Sequence, residues 1–528
     1  MKFSGATYKN AYRLVCLLII ITVAGIRIHL ADIPFERDEG EYAYAGQLIL
    51  KGDPPYHDVY NMKFPGVYYM YALSFKLFGE GVAAPRYLVL LLQLTSACFI
   101  FLLARRAINP LAGWLCSAFF MLLNLSLTIS GCQANAEHFL VAFLVPSMFF
   151  LYRGMERQSF RDIFFTGVLL TVACIMKQHA FVFAFATALW IIYVQRFKSA
   201  GYLLSYIAGG ALPALLMCSY LWYAGVWDRF YFLTIQYARE YVGVLNYHHG
   251  IYNLNSLNQN FRCSNPVLFW CLFISALGLF LPAQKSKTKI FLILFLIASA
   301  IATTPGYYFR GHYFLILVPV LAILITYTAF ALTGYFSPQV RNALLACYVA
   351  GNAFFFLYCQ KEVFFQMSSD EVTECLYKGA PFAAAPKVSA FIKHHSEPGD
   401  RICQVGVEPE IFFLSQRRSA SGYIYIYPLL EHQKYAASMT EEFIKQSEDS
   451  KPAILLYSSK SVFENGSNLD TRLYQWFLNF KNNYKLIAVF HAKADDCSPM
   501  SVVDTISPSD TLPQITPQIK VYKRLDAR

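Results

Sequence analysis

Asp38, Glu39 and Glu41 crowd into one short stretch, Glu36-Arg37-Asp38-Glu39-Gly40-Glu41, and a lysine, Lys63, follows within the same inter-helix segment. A carboxylate placed beside a reacting hydroxyl can take its proton. A cation aimed at a leaving group can hold the negative charge that develops there. Asp38 is the candidate base, with Glu39 or Glu41 assisting it. The bland alternative is a helix start, with Asp38-x-x-Glu41 as capping box and an acid-rich first turn. The two readings are compatible, because a capping side chain can also act as a base. Lys63 precedes Phe64-Pro65-Gly66, at the predicted start of a second helix. A cation is electrostatically disfavoured at a helix N-terminus unless an anion sits there as well, which points to a phosphate. A snorkelling interfacial lysine is the alternative.

Other candidates recur at the ends of apolar runs. Arg86 opens one run and serves either a structural pairing with the first acids or a phosphate contact. Lys177 ends another run, in Met176-Lys177-Gln178-His179, and Arg310 lies in Tyr307-Tyr308-Phe309-Arg310-Gly311-His312-Tyr313. Lys177 and Arg310 are candidate phosphate ligands, against the alternative of interface anchors in an aromatic belt. Tyr42, Tyr69 and Tyr308 offer rings that can stack on a sugar or touch an acceptor. Glu137 and His138, in a polar turn with Gln133 and Asn135, could orient a sugar or hold a divalent metal. Two ligands are too few to make a metal site, and a solvated loop is the alternative. No cofactor is otherwise required.

The elements that must position these residues are long apolar runs. A span needs about 20 apolar residues, and about eleven candidates occur. They cover roughly 12–31, 84–104, 111–130, 138–152, 162–177, 179–195, 201–224, 266–283, 290–305, 313–334 and 342–360. The first is too long for a cleavable signal and is followed by no small-residue cleavage site. Every second connection is basic: Arg105 and Arg106, then Arg153, Arg157 and Arg161, then Arg196 and Lys198, then Lys285, Lys287 and Lys289, then Arg341. Those connections are expected to be cytoplasmic, with the N-terminus inside and the C-terminus outside. The outer side then holds residues 32–83, 225–265 and the tail. Within 32–83 two helices are expected, one from the acids to about residue 52 and one over 66–78. The tail alternates short apolar runs (401–407, 411–414, 453–457, 485–490), read as strands, with helix-like stretches (388–395, 440–446, 471–482), which predicts a small α/β domain. Two domains are expected: a transmembrane domain over 1–360, with its chemistry in the loop 32–83, and an extracytoplasmic α/β domain over 361–528.

Composition agrees. Of 528 residues 56% are hydrophobic and only 15% charged, where soluble domains carry nearer a quarter charged. The 37 Tyr and 46 Phe suit interfacial anchoring. The net charge of +11 sits largely in the basic turns, and no basic arm or zinc spacing supports a nucleic-acid partner. The 13 cysteines show no CxxC pair. Cys375, Cys403 and Cys497 fall in the tail, where a bridge is open if the tail is extracytoplasmic.

Taken together, these residues resemble the integral-membrane glycosyltransferases with the C-type fold (GT-C). The chain looks most like glycosyltransferase family 39, whose relatives include protein O-mannosyltransferases and the lipid A aminoarabinose transferase. The family's Asp-Glu matches Asp38-Glu39. Its Lys-Pro-Pro element matches Lys63-Phe64-Pro65, with Phe in place of the first Pro. Its Arg at the second span matches Arg86. Its later lysine matches Lys177, although Gln178-His179 replaces the usual small residue. Its late Arg-Tyr before a proline-containing span matches Arg310 to Tyr313 with Pro319, and His312 stands where an arginine is common, so Arg310 and His312 share that role. The resemblance implies a polytopic helical membrane protein of the bacterial cytoplasmic membrane. It implies an undecaprenyl- or dolichyl-type phosphosugar donor, a lipid, glycan or protein acceptor, and inversion at the anomeric carbon with Asp38 as base. A transporter or flippase, or a polymerase of lipid-linked saccharides, is the other class. Transporters tend to show mid-membrane ionisable groups and inverted repeats, which this sequence lacks.

Overall fold

The computed structural model describes residues 5–280, 286–377, 381–458, 471–491, 502–503 and 518–526. The chain divides into two compact units, each assembled from separate stretches. One unit comprises Met1–Ala31, Pro85–Tyr220 and Leu245–Gln366; the other comprises Asp32–Ala84, Leu221–Val244 and Met367–Arg528.

The first unit is helical. Among the described residues each apolar window falls largely on helix, as apolar sequence demands where the backbone must satisfy its own hydrogen bonds. Among the described residues, six helices are long and apolar enough to cross a membrane: Tyr8–His29, Ala83–Ala107, Ala136–Arg157, Gln178–Tyr223, Gly311–Thr333 and Pro338–Cys359. A bent pair, Tyr247–Ser264 with Pro266–Phe280, qualifies when taken together, and Ala112–Leu123 is a shorter apolar helix. The windows 162–177 and 179–195 are separate helices, divided at Lys177, whose extended backbone (φ −157°) parts Phe160–Met176 from the turn Gln178–Ala180. Leu14, Leu18 and Ile21 on the first helix are half exposed, a stripe suited to lipid. Small residues let helices touch: a Cβ on Gly209 would stand 2.0 Å from the Phe164 carbonyl oxygen, and one on Gly167 2.1 Å from that of Tyr206. The chain is a multi-pass membrane protein.

The second unit holds helices Arg37–Leu50 and Gly66–Phe78, packed together, and a mixed sheet. Gly46 permits the helix contact, since a Cβ there would lie 2.9 Å from the Ala72 backbone nitrogen. Among the described residues the sheet runs Arg418–Ser419, Arg401–Val405, Ile454–Ser458, Gln518–Arg524, Tyr484–His491, Val502–Val503. The first three strands are parallel and the others antiparallel. Helices Ala385–His394, Ala436–Ser450 and Thr471–Phe480 flank it. This is the expected α/β arrangement, with one correction. Residues 411–414 form part of a helix, Glu410–Ser415, rather than a strand. A four-residue apolar run carries no period, and here Ile411, Phe412 and Phe413 are buried: Phe412 meets Tyr44, and Phe413 meets Phe35 and stacks on Phe75. Cys375 and Cys403 are free thiols, and Cys497 lies outside the described residues.

Candidate active site

The helix Arg37–Leu50 starts two residues earlier than the acids suggest. Glu36 is the N-cap, and its carboxyl accepts from the Glu39 N–H (3.3 Å) while the Glu39 carboxylate accepts from the Glu36 N–H (3.4 Å). The capping box is therefore Glu36-x-x-Glu39, and the expected Asp38-x-x-Glu41 box is not formed. This uses Glu39, which is fully buried, for the cap. It leaves Asp38 and Glu41 one turn apart on the helix for other partners.

Both meet Lys63. Its ammonium lies 3.0 Å from Asp38 Oδ1 and 2.9 Å from Glu41 Oε2, and sits over the Tyr42 ring at 4.5 Å. The two carboxylates differ in access: the Asp38 side chain is 14% exposed and that of Glu41 is 0%. Glu41 is held by further donors, the hydroxyls of Tyr68 (2.7 Å, to Oε1) and Tyr425 (3.1 Å, to Oε2). Burial alone would lower the Lys63 pKa, but Asp38 and Glu41 outweigh it and hold it above the ordinary lysine value. Burial, then the charges of Asp38 and Glu39, push Glu36 up to about 8. Glu410, fully buried behind Gly40, is also pushed well up, first by burial and then by Glu408. Tyr69 lies half-buried on the second helix.

The first unit gathers a second set. Lys177 ion-pairs with the buried Glu137, and His312 Nε2 stands 3.9 Å from the same carboxylate. The Lys177 ammonium also faces the Tyr313 ring at 4.4 Å, and His179 packs edge-on to that ring. His138 is buried, and neither ring nitrogen has a hydrogen-bond partner among the described residues. Arg86 is buried and donates to the Ala31 carbonyl (2.9 Å). Arg310 is exposed, its guanidinium over the Tyr308 ring at 5.2 Å.

Among the described residues, Asp53, His57 and Asp58 lie close enough to share a metal. Arg418 already binds both carboxylates, at 2.5 and 2.9 Å, so the cluster reads as an ion-pair network. Glu137 and His138 do not enter a three-ligand group among the described residues.

Sequence reasoning missed Tyr68, Asn61 and Tyr425. Tyr68 follows the flagged Lys63 on the expected helix and could have been found by its spacing. Tyr425 stands in an alternation, Tyr423-Ile424-Tyr425-Ile426-Tyr427, but nothing local ties it to Glu41.

Residues 62–223, which include Lys63, Arg86, Glu137 and Lys177, match the dolichyl-phosphate-mannose-protein mannosyltransferase family. No curated protein matches the chain by sequence. Its structure is similar to that of ArnT from Cupriavidus metallidurans bound to undecaprenyl phosphate, with 14% identity and a TM-score of 0.55 over 94% of this chain and 99% of ArnT. Against apo ArnT the identity is 13% and the TM-score 0.57, over 96% and 97%. This is the GT-C glycosyltransferase fold, as in ArnT. The GT-C fold also relates the chain to the oligosaccharyltransferase AglB from Archaeoglobus fulgidus, in complex with an inhibitory peptide and a dolichol-phosphate, at 11% identity and a TM-score of 0.50 over 95% of this chain and 75% of AglB.

Proposed function

We propose that this protein transfers a sugar from a polyprenyl-phosphate carrier to an acceptor hydroxyl, with Asp38 as the base. One observation carries the reading: an accessible carboxylate, Asp38, shares the Lys63 ammonium with a buried one, Glu41. Lys63 meets the donor phosphate. As the phosphate draws the ammonium away, Asp38 is released to accept a proton, while Glu41 stays as the fixed counter-ion. The acceptor oxygen attacks the anomeric carbon, its proton passes to Asp38, and the bond to the phosphate oxygen breaks. Polyprenyl phosphate leaves with the electron pair, its charge met by Lys63. A single displacement inverts the anomeric carbon.

The GT-C fold supports this reading, as do the relatives' ligands: undecaprenyl phosphate in ArnT, and dolichol-phosphate with a peptide in AglB. Lys177, Arg310 and His312 are assigned to anionic groups of the substrates, and Tyr308 and His138 to sugar or acceptor. The basic turns support a cytoplasmic N-terminus, with the 32–83 segment and residues 361–528 outside a bacterial cytoplasmic membrane.

The test supplies purified protein in proteoliposomes with a polyprenyl-phosphate sugar labelled in the sugar, plus membrane extract. Label moving to a new acceptor, with polyprenyl phosphate released in equal amount, is the expected result. Movement of the intact lipid-linked sugar across the bilayer, with no bond broken, would instead make the protein a flippase.

A further inference from the structure

We propose that Tyr425, in the segment after the membrane helices, is a positioning residue for Lys63; the inference rests on the transferase reading above. Glu41 is fully buried and takes hydrogen bonds from three side chains: Lys63, Tyr68 and Tyr425. The Tyr425 bond has a defined direction. Asn61 Oδ1 accepts from the Met62 N–H at 2.6 Å, which turns the Asn61 amide nitrogen toward Tyr425. That nitrogen can only donate, so the Tyr425 oxygen accepts there and its single proton must point to Glu41. Burial, then the charges of Glu41 and Asp38, raises the Tyr425 pKa well above its ordinary value, so the proton stays in place.

The chain of polarity thus runs from Asn61 through Tyr425 to Glu41, and from Glu41 to the ammonium that Asp38 shares. Each hydrogen bond Glu41 receives from a tyrosine lowers its hold on Lys63. Removing the Tyr425 proton donor concentrates the Glu41 charge on Lys63 and makes the ammonium a poorer ligand for an incoming phosphate. Tyr68 is fully buried, whereas Tyr425 is half-buried. The Tyr425 ring lies 6.2 Å from that of Tyr427, which sits under the Arg37 guanidinium at 4.7 Å. A partly accessible ring beside the Asp38 helix suits the apolar face of a pyranose. The segment is anchored by backbone: the Tyr60 N–H donates to the Gly422 carbonyl at 2.8 Å, and a Cβ on Gly422 would meet the Tyr60 ring at 2.5 Å.

The test is steady-state transfer by the full-length protein carrying Tyr425→Phe, Tyr425→Leu or Asp38→Asn. Tyr425→Phe keeps the ring and should raise the KM for polyprenyl-phosphate sugar about tenfold, the size of one hydrogen bond to a charged group, with kcat near that of wild type. Tyr425→Leu loses the ring too and should raise KM further. A purely structural role would instead lower the folded fraction, and apparent kcat, without moving KM. Unchanged KM in both tyrosine variants, with transfer abolished by Asp38→Asn, overturns this inference and leaves the transferase reading standing. Full transfer by Asp38→Asn overturns both.

Discussion

Lys63 lies 3.0 Å from Asp38, so the candidate base and the candidate phosphate ligand neutralise each other. A lone base beside a lone cation would each carry a desolvation cost. Paired, they rest at low cost, and an anion that takes the lysine frees the carboxylate. In the proposed mechanism, substrate binding and activation of the base are then one event.

The geometry of that pair depends on the close seating of its helix. Gly40 lies between Asp38 and Glu41, and a Cβ there would stand 2.6 Å from the Glu410 backbone nitrogen. Backbone cannot step aside as a side-chain tip can. Gly40→Ala is expected to destabilise the protein by about 1–3 kcal/mol and to lower transfer at temperatures where the variant is still folded. Thermal unfolding followed by tryptophan fluorescence, alongside transfer at low temperature, checks both. A variant with wild-type midpoint and rate would show that the contact is slack.

The cap of the same helix should respond to pH. Glu36 is raised from 4.5 to about 8, with Asp38, Glu39, Lys63 and Glu410 as its charged or titratable neighbours. Between those values the folded state keeps a proton that the unfolded chain has released, so this group's contribution to stability is full below about 4.5 and is lost as pH rises through about 8. Glu36→Gln cannot ionise and should flatten that decline, gaining about 3 kcal/mol relative to wild type at pH 8 compared with pH 5. Unfolding midpoints of both proteins across that range read the effect. Parallel curves would mean that Glu36 is ionised throughout.

In the helical unit, the buried Glu137 pairs with Lys177, whose side chain is 11% exposed. Lys177→Met alone leaves the buried Glu137 facing His312, 3.9 Å away, and should cost about 3–5 kcal/mol, while Lys177→Met with Glu137→Gln should recover most of the loss. A double-mutant cycle on unfolding midpoints gives the coupling. Additive single effects would contradict the pairing.

Much of this arrangement is legible in the amino-acid order. The spans are read from apolar length, the helix Gly66–Phe78 from its glycine, its Tyr-rich apolar face and its end at Gly79, and the acids and Lys63 from their unlikely company. The cap falls two residues earlier than expected because Glu36-x-x-Glu39 and Asp38-x-x-Glu41 share the same spacing, and only backbone geometry separates them. The strand Gln518–Arg524 gives a weak signal. Polar and apolar residues alternate from Gln518 through Val521, but Tyr522 breaks the period before the run is long enough to identify a strand. Tyr425 is beyond local reading altogether. Its bond to Glu41 spans 384 positions, and no periodicity encodes a partner so distant.

The most direct measurement is the single-turnover transfer rate of Asp38→Asn against wild type, at saturating donor, with donor binding measured in parallel. Loss of a general base predicts a rate lower by about 10²–10⁴-fold. Donor binding should be retained or tightened, because Lys63 then shares its charge with one carboxylate instead of two. A rate within about twofold of wild type would contradict the account, since that is far below the effect of a removed base.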